Sequence, residues 1–420
     1  MEEFLLYTGE SVVETSDGQR ITAEVQVVSQ LQPAPRLTLR TEIHDPTFFS
    51  ISAEDIRVSI PVLNEPIACF VRNWTCHAHK ISAELGPTRS AVELQILVPL
   101  FSVRLHILNF FQLFPSVINL KTEDGWVLHI SNASDREEDG NTGFRHIVTN
   151  FATIKRSNGE SFSVEQVRRV IKDLLDFLSF AKGAWIAASI VTGLAANGSE
   201  LIIEWGIRRF HKTQISASWF DGMHSTELLP LFAHFRRIRN SEWVKKEFDF
   251  YLYMFARAET NSAGPDVSLL ALQALLESLA AMAVRLRRRG ILGRDPDGQT
   301  NITGNRGAAG KIEDLLSSMK IPMEIPKGEI MKSLRLYCAQ NEIDSGPAAI
   351  VNLRKVLAHA ECSESRSAKR PFYPAYLLAK WYCELVMLNL CNYQGMYFNR
   401  TIHSWLGERE FVPWSHMFKR

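Results

Sequence analysis

The chain has 420 residues, 46% of them hydrophobic and 22% charged, with a formal net charge of +1. That length exceeds what one hydrophobic core usually serves, so two or three domains are expected. The near-neutral balance argues against a bulk nucleic-acid coat protein, and six scattered cysteines argue against a disulfide framework.

Arginine outnumbers lysine by 31 to 16, a bias that suits planar, bidentate phosphate contacts at a local site. The opening Met1-Glu2-Glu3-Phe4-Leu5-Leu6 is acidic and lacks the apolar core of a cleavable leader. Of the longest apolar runs, 184–196 is too short to span a bilayer and 268–284 is interrupted by Glu277. A reducing cytoplasm without membrane contact is the expected setting.

Residues 1–150 read as a β-rich module. Ile21–Val28 and Arg36–Arg40 alternate apolar and polar side chains with the period of two of half-buried strands. The stretches 92–107 and 126–130 continue that character, and Asp17-Gly18 and Asp124-Gly125 supply turns. The polar stretch Asn132–Gly143 reads as a loop.

A mixed α/β segment, 151–224, follows. Ser163 with Gln166 three positions on forms a capping box, and Val164, Val167, Val170, Ile171, Leu174, Leu175 and Leu178 then recur at helical spacing. Lys182-Gly183 should end that helix. The Asn197-Gly198 turn leads into a strand at Glu200–Trp205, with Gln214–Phe220 as a candidate partner. The aromatic stretches Phe177–Trp185 and Ser218–Gly222 are expected to fill an inter-domain core.

From 225 to 420 the pattern is helical. Leu228–Phe235 and Trp243–Ala258 come first, then a long helix capped by Asp266 with Leu269, Leu272, Leu275, Leu276, Leu279 and Met282 on its apolar face. It runs into the basic cluster Arg285, Arg287, Arg288, Arg289 and Arg294. Helices near 311–319, 328–341, 347–360 and 374–391 follow, with Gly395 closing the last.

Arginine and histidine separated by four to six residues occur four times, against roughly 2–3 expected by chance. The matches are Arg72 with His77, Arg72 with His79, Arg409 with His416, and Arg354 with His359. The first two lie in a strand-like alternation. The third spans Pro413. Only Arg354–His359 lies on an expected helix, whose Ile350, Leu353, Val356 and Leu357 make an apolar stripe.

Arg354–His359 resembles the R-x(4–6)-H signature of the HEPN superfamily, and its helix is third of four amphipathic helices, as in that family. The middle segment, between a β-rich front and this tail, resembles one found in large bacterial phage-defence proteins of the ApeA-like kind. The resemblance implies an α+β chain ending in an all-α HEPN-like bundle, a homodimer through that bundle, and a metal-independent endoribonuclease needing no cofactor. His359 would move protons, and Arg354 would stabilise the charge of the transition state. Cleavage would leave 2′,3′-cyclic phosphate and 5′-hydroxyl ends. The front module would sense a phage-derived or cellular trigger, or restrain the nuclease.

Spacing sets a condition on this geometry. Five positions along an ideal helix turn about 500°, so the two side chains diverge by about 140°. Facing pairs across a two-fold axis relax that demand. Lys355 stands where Asn, Asp or His is commoner in the family; it adds phosphate affinity but accepts no hydrogen bond. The competing readings are a catalytically inactive HEPN-like binding or dimerisation protein, and a scaffold that merely contains the pattern.

The basic cluster either guides RNA, together with Lys355, or complements a helix C-terminus. Arg236, Arg237 and Arg239 read as a solvated face. Cys69, Cys76, His77 and His79 lack a second spaced pair for zinc. Asn305–Lys311 lacks the glycine and hydroxyl of a phosphate loop.

Overall fold

The computed structural model describes residues 3–30, 36–45, 55–63, 65–77, 80–89, 91–94, 96–133, 148–206, 218–241, 244–258, 264–288, 307–358, 370–402 and 408–415. The chain is α+β, with strands in front and helices behind. It forms two compact units. One comprises Met1–Gln112, Lys121–Leu175 and Ile186–Gln214; the other comprises Leu113–Leu120, Asp176–Trp185 and Ile215–Arg420. The expected middle segment, 151–224, is therefore divided between the two.

The first unit opens with β1 (Glu3–Glu14), β2 (Arg20–Gln30), β3 (Arg36–Ile43), β4 (Ile56–Ser59), β5 (Ile67–His77) and β6 (Lys80–Pro87). They close into an antiparallel barrel in the order β1-β2-β3-β6-β5-β4, with Val13 of β1 opposite Val58 of β4 at the seam. Alternation supplies the interior: Val25 and Val27, Leu37 and Leu39, Ile81 and Leu85 are all buried in one cluster. A bulge between Val71 and Asn73 breaks the alternation of β5, and Asn73, Trp74, Thr75 and Cys76 are exposed in succession.

A seven-stranded sheet follows, built from β7 (Ala91–Glu93), β8 (Leu100–Leu108), β9 (Val117–Lys121), β10 (Trp126–Asn132), β11 (Val148–Arg156), β12 (Ala187–Ala195) and β13 (Glu200–Gly206). Its order is β7-β13-β12-β8-β11-β10-β9. The Asn197-Gly198 turn joins β12 to β13 as a hairpin, as its sequence indicates. Most of the expected 132–143 loop and of the candidate strand 214–220 lies outside the described residues.

Helix α1 (Val164–Lys182) begins with the expected capping box: the Ser163 N–H donates to Gln166 Oε1 at 2.9 Å, and the Gln166 N–H to Ser163 Oγ at 3.4 Å. It ends at Gly183, whose φ of +73° and whose bond to Phe180 O, with that of Ala184 to Ser179 O, close a Schellman motif.

The second unit contains α2 (Leu228–Arg239), α3 (Lys245–Arg257), α4 (Gly264–Arg288), α5 (Ala308–Ser318), α6 (Lys332–Gln340), α7 (Gly346–Ala358) and α8 (Phe372–Leu390), then the short β14 (Met396–Tyr397) and β15 (Glu410–Phe411). Helices α4, α5, α7 and α8 pack against one another as a four-helix set. By length and apolarity α4 could cross a bilayer, but Leu269, Leu272, Leu275, Leu276 and Leu279 are buried within the unit. Two boundaries differ from expectation. Helix α4 starts at Gly264, so Asp266 lies inside its first turn. Helix α8 is closed by Asn392, with φ of +53°, ahead of Gly395.

The aromatic stretches belong to this second unit. Phe177 and Phe180 meet Phe235 at ring separations of 5.1 and 6.0 Å, and Phe235 meets Phe248 at 5.1 Å. Trp219 donates its indole N–H to Phe180 O at 3.2 Å. Arg239 corrects the solvated-face reading of its cluster. It is 2% exposed and donates from Nε to Asp176 at 2.8 Å and from Nη2 to Asp249 at 3.2 Å. A buried guanidinium needs such carboxylates, and charge alone in the sequence does not disclose them.

Helix α8 is buried along almost all of its length, including Lys380 and Glu384 one turn apart. Arg400 forms a buried ion pair with Glu384, and the backbone N–H of Trp219 also donates to that carboxylate. Burial, then the neighbouring Arg400 charge, holds the Lys380 ammonium well below the ordinary lysine value. Beyond α8, Glu227 accepts from Tyr393 at 2.6 Å and pairs with Arg409 at 3.2 Å, while Tyr397 donates to Glu410 at 2.5 Å.

Glu384→Gln, which leaves Arg400 buried against a neutral amide, is expected to cost about 3–5 kcal/mol. Lys380→Met should cost distinctly less, because the Glu384–Arg400 pair survives it. Urea denaturation of both variants measures the difference.

Alkaline stability follows from the tyrosines. Burial raises the hydroxyls of Tyr251, Tyr382, Tyr393 and Tyr397, and pushes Tyr376 up to about 12. With the folded-state pKa above the unfolded one, the unfolded chain ionises first. Stability is therefore full below about pH 10 and falls as the pH rises beyond it. Phenolate absorbance followed alongside circular dichroism should show these tyrosines ionising only as the unit unfolds.

Candidate functional site

The candidate site is built on α7. Its start is fixed tightly: Ser345 Oγ accepts from the Ala348 N–H at 3.2 Å and donates to Glu313 at 2.5 Å, while the Gly346 N–H donates to Met323 O at 2.8 Å. A Cβ at Gly346 would stand 3.1 Å from both Leu378 and Met323 O, so glycine permits this approach to α8. Ile350 and Leu353 of the expected stripe are buried, together with Ala349 and Val351, whereas Val356 and Leu357 are only half-buried.

Arg354 and Lys355, near the C-terminal end of α7, are both exposed. His359 follows the last described residue of the helix and lies outside the described residues. Two positions before Arg354, Asn352 accepts a hydrogen bond of 2.7 Å from the Tyr337 hydroxyl of α6. Burial raises that hydroxyl against the pull of the Arg370 charge. Tyr337, Asn352 and Arg370 escaped the sequence reading, because 15 residues and a helix boundary separate Tyr337 from Asn352 and no motif joins them.

The basic cluster divides. Arg285 is half exposed and pairs with Glu247 of α3 at 3.0 Å. Arg287 and Arg288 fall in the last turn of α4. Arg289 and Arg294 lie outside the described residues.

The other Arg–His matches take different places. Arg72 is in β5 and donates to Leu37 O at 3.1 Å and Thr38 Oγ1 at 3.0 Å, as an internal tie of the barrel. His77 ends that strand, and His79 lies outside the described residues. Arg409 pairs with Glu227, and His416 is likewise outside. Cys69 is buried and Cys76 exposed, and no group of three or more metal-ligating side chains occurs among the described residues.

Two other polar clusters stand apart from α7. The Lys380–Glu384–Arg400 cluster is chemically unusual, but its residues are at most 4% exposed, so a ligand would have to open the helical unit to reach it. The barrel carries a groove of about 370 Å³ on its outer face. Glu24, Glu42 and Glu84 line it, and Arg40 is already paired to Glu3 at 2.9 Å and Glu84 at 3.5 Å. Such a carboxylate-rich surface repels a phosphate backbone.

No solved structure matches the chain. A protein described as "SPbeta prophage-derived uncharacterized protein YopA", from Bacillus subtilis (strain 168), is 24% identical over 272 residues. The match covers 64% of this chain and 58% of that protein, less than two thirds of its length. Residues 98–214, a range that includes β8 to β13, match the family described as the YopA central domain. Residues 241–411, from α3 to β15, match the YopA C-terminal domain, so the candidate helix lies within a YopA-like region.

Proposed function

We propose that the C-terminal helical unit is a metal-independent endoribonuclease of the HEPN type, working as a homodimer in the bacterial cytoplasm. The observation that carries this reading is the placement of α7. It is third in chain order in the four-helix set, Ile350 and Leu353 of its apolar face are buried, and Arg354 and Lys355 near its end are left to solvent.

The ribose 2′-oxygen would attack the adjacent phosphorus as the bond to the 5′-oxygen breaks. One His359 would take the 2′-proton and its symmetry mate would give a proton to the departing oxygen. Arg354 would meet the charge that builds on the phosphorane-like transition state. Lys355, Arg285, Arg287, Arg288 and Arg289 would draw the RNA backbone in. Similarity to a prophage-derived protein supports a setting in conflict between phage and bacterium, where the front module would act as sensor or restraint.

One observation favours a second reading. Lys355 is exposed beside Arg354 and accepts no hydrogen bond, which suits a non-catalytic HEPN-like protein that binds or dimerises without cleaving.

Cleavage of RNA in the presence of EDTA, by wild type beside Arg354→Ala and His359→Ala, separates the two. A nuclease should lose at least about 100-fold in each variant and leave 2′,3′-cyclic phosphate ends. Equal rates in all three, or activity abolished by EDTA, would refute the mechanism. RNA binding without cleavage would support the second reading.

A further inference from the structure

We propose that the outward face of β8, β11 and β10, within the first unit, binds a single strand of nucleic acid through its phosphates and an unpaired base. This surface is distinct from α7 and does not depend on the reading of that helix.

Strand register builds the face. Alternate residues of a strand point to one side, and paired residues of neighbouring strands share a side. Three rows therefore cross the sheet: His106–Phe151–Ser131, Arg104–Thr153–His129 and Ser102–Lys155–Val127. Thr192 and Leu194 of β12 extend the second and third rows. The opposite side is closed, with Val103, Leu105, Leu128, Ile130, Ala152 and Ile154 fully buried. Towards β13 the barrel covers the outward face, where Ile190 and Ile202 pack against its cluster. Over β8, β11 and β10 the face is open, and Arg104, His129 and Lys155 are exposed.

Charge identifies what fits there. None of the nine positions in the three rows is a carboxylate, whereas Glu24, Glu42 and Glu84 line the groove of the barrel. Arg104 and Lys155 have no ion-pair partner among the described residues. Arg104 and His129 stand two strands apart, roughly 10 Å, and Lys155 lies about 7 Å along β11 from the residue between them. The hydroxyls of Thr153, Ser102 and Ser131 lie among these groups and can donate to phosphate oxygens. The surface complements a polyanion and repels none of it.

The aromatic position selects a single strand. Phe151 is half-buried in the first row and meets the His106 ring edge to face at 5.0 Å, and His106 meets Phe4 at 6.3 Å. Burial, then the Arg104 charge, lowers the pKa of His106, so that ring is neutral near pH 7. Phe151 is thus held in place, one row from Arg104, with part of its ring left to solvent. An unpaired base can stack on it, whereas a duplex keeps its bases inside.

The full chain carrying His359→Ala serves as parent, so that no turnover intervenes. Affinity for a short fluorescent oligonucleotide, as RNA and as DNA, is read by anisotropy over a range of salt. Arg104→Ala, Lys155→Ala and Phe151→Leu are compared with Lys332→Ala, which removes an exposed cation from α6.

We expect Arg104→Ala and Lys155→Ala to melt as the parent does and to bind about tenfold more weakly. Each should lose about 0.7 from the salt slope of the affinity. Phe151→Leu should bind about tenfold more weakly with the slope unchanged, and Lys332→Ala should bind as the parent does. If Phe151→Leu fails to fold, the two cation variants decide. Equal losses for RNA and DNA would support recognition of phosphate and base, and a loss with one polymer alone would name it as the ligand. A parent that binds neither strand, a duplex bound as tightly as a single strand, or equal affinities in Arg104→Ala and Lys332→Ala would each overturn the proposal. Arg104-dependent binding of phosphatidylserine vesicles, with no binding of oligonucleotide, would assign the face to lipid headgroups and overturn it as well.

Discussion

The helical unit depends on satisfying one buried helix. Helix α8 exposes almost nothing, so every polar group it carries must be met from inside the unit. Arg400 meets Glu384, the Tyr251 hydroxyl donates to Cys383 O at 3.1 Å, and the Tyr382 hydroxyl donates to Met323 O at 3.3 Å. These contacts come from α3, from the segment before α6 and from the chain after α8, so the helix collects distant parts of the sequence around itself. With α8 enclosed, the surface of the four-helix set falls to its neighbours, and α7 is one that keeps charged side chains in water.

Much of the fold was legible where the signal is local. The capping box at Ser163 needs only Gln166 three residues away, and the Asn197-Gly198 hairpin needs only its turn. The apolar face of α4 recurs every three or four residues. Failures came where partners lie far along the chain. Arg239 reads as a surface cation until Asp176, 63 residues earlier, is brought to it. Lys380 and Glu384 sit in a nearly continuous apolar run, a pattern that could have flagged a buried pair, but only the fold supplies Arg400. Helix ends were misplaced at Asp266 and Gly395 because several residues nearby could serve as caps. Choosing among them takes the backbone angle, such as the left-handed conformation at Asn392.

At the candidate site, spacing and apolar pattern located α7 and left Arg354 and Lys355 on its polar side, where the structure also has them. A two-residue motif carries nothing about what surrounds it, and the Tyr337–Asn352 bond arises from two helices converging. Barrel and sheet likewise could be read as β-rich from alternation, whereas ring closure depends on Val13 finding Val58, 45 positions further along the chain.

That closure has a consequence for how the front of the chain can meet other molecules. The short β4 closes the ring by pairing with β1 at Val12–Glu14 and with β5 at Ile67–Cys69, and there no hydrogen-bonding edge is left for an extended peptide to join as one more strand. Over that part of the ring, recognition by the barrel must pass through outward side chains and connecting loops. Those positions lie outside the cluster of inward residues, so substitutions there can alter what is recognised while leaving the ring intact. A surface of that kind can diverge quickly under selection at little cost in stability.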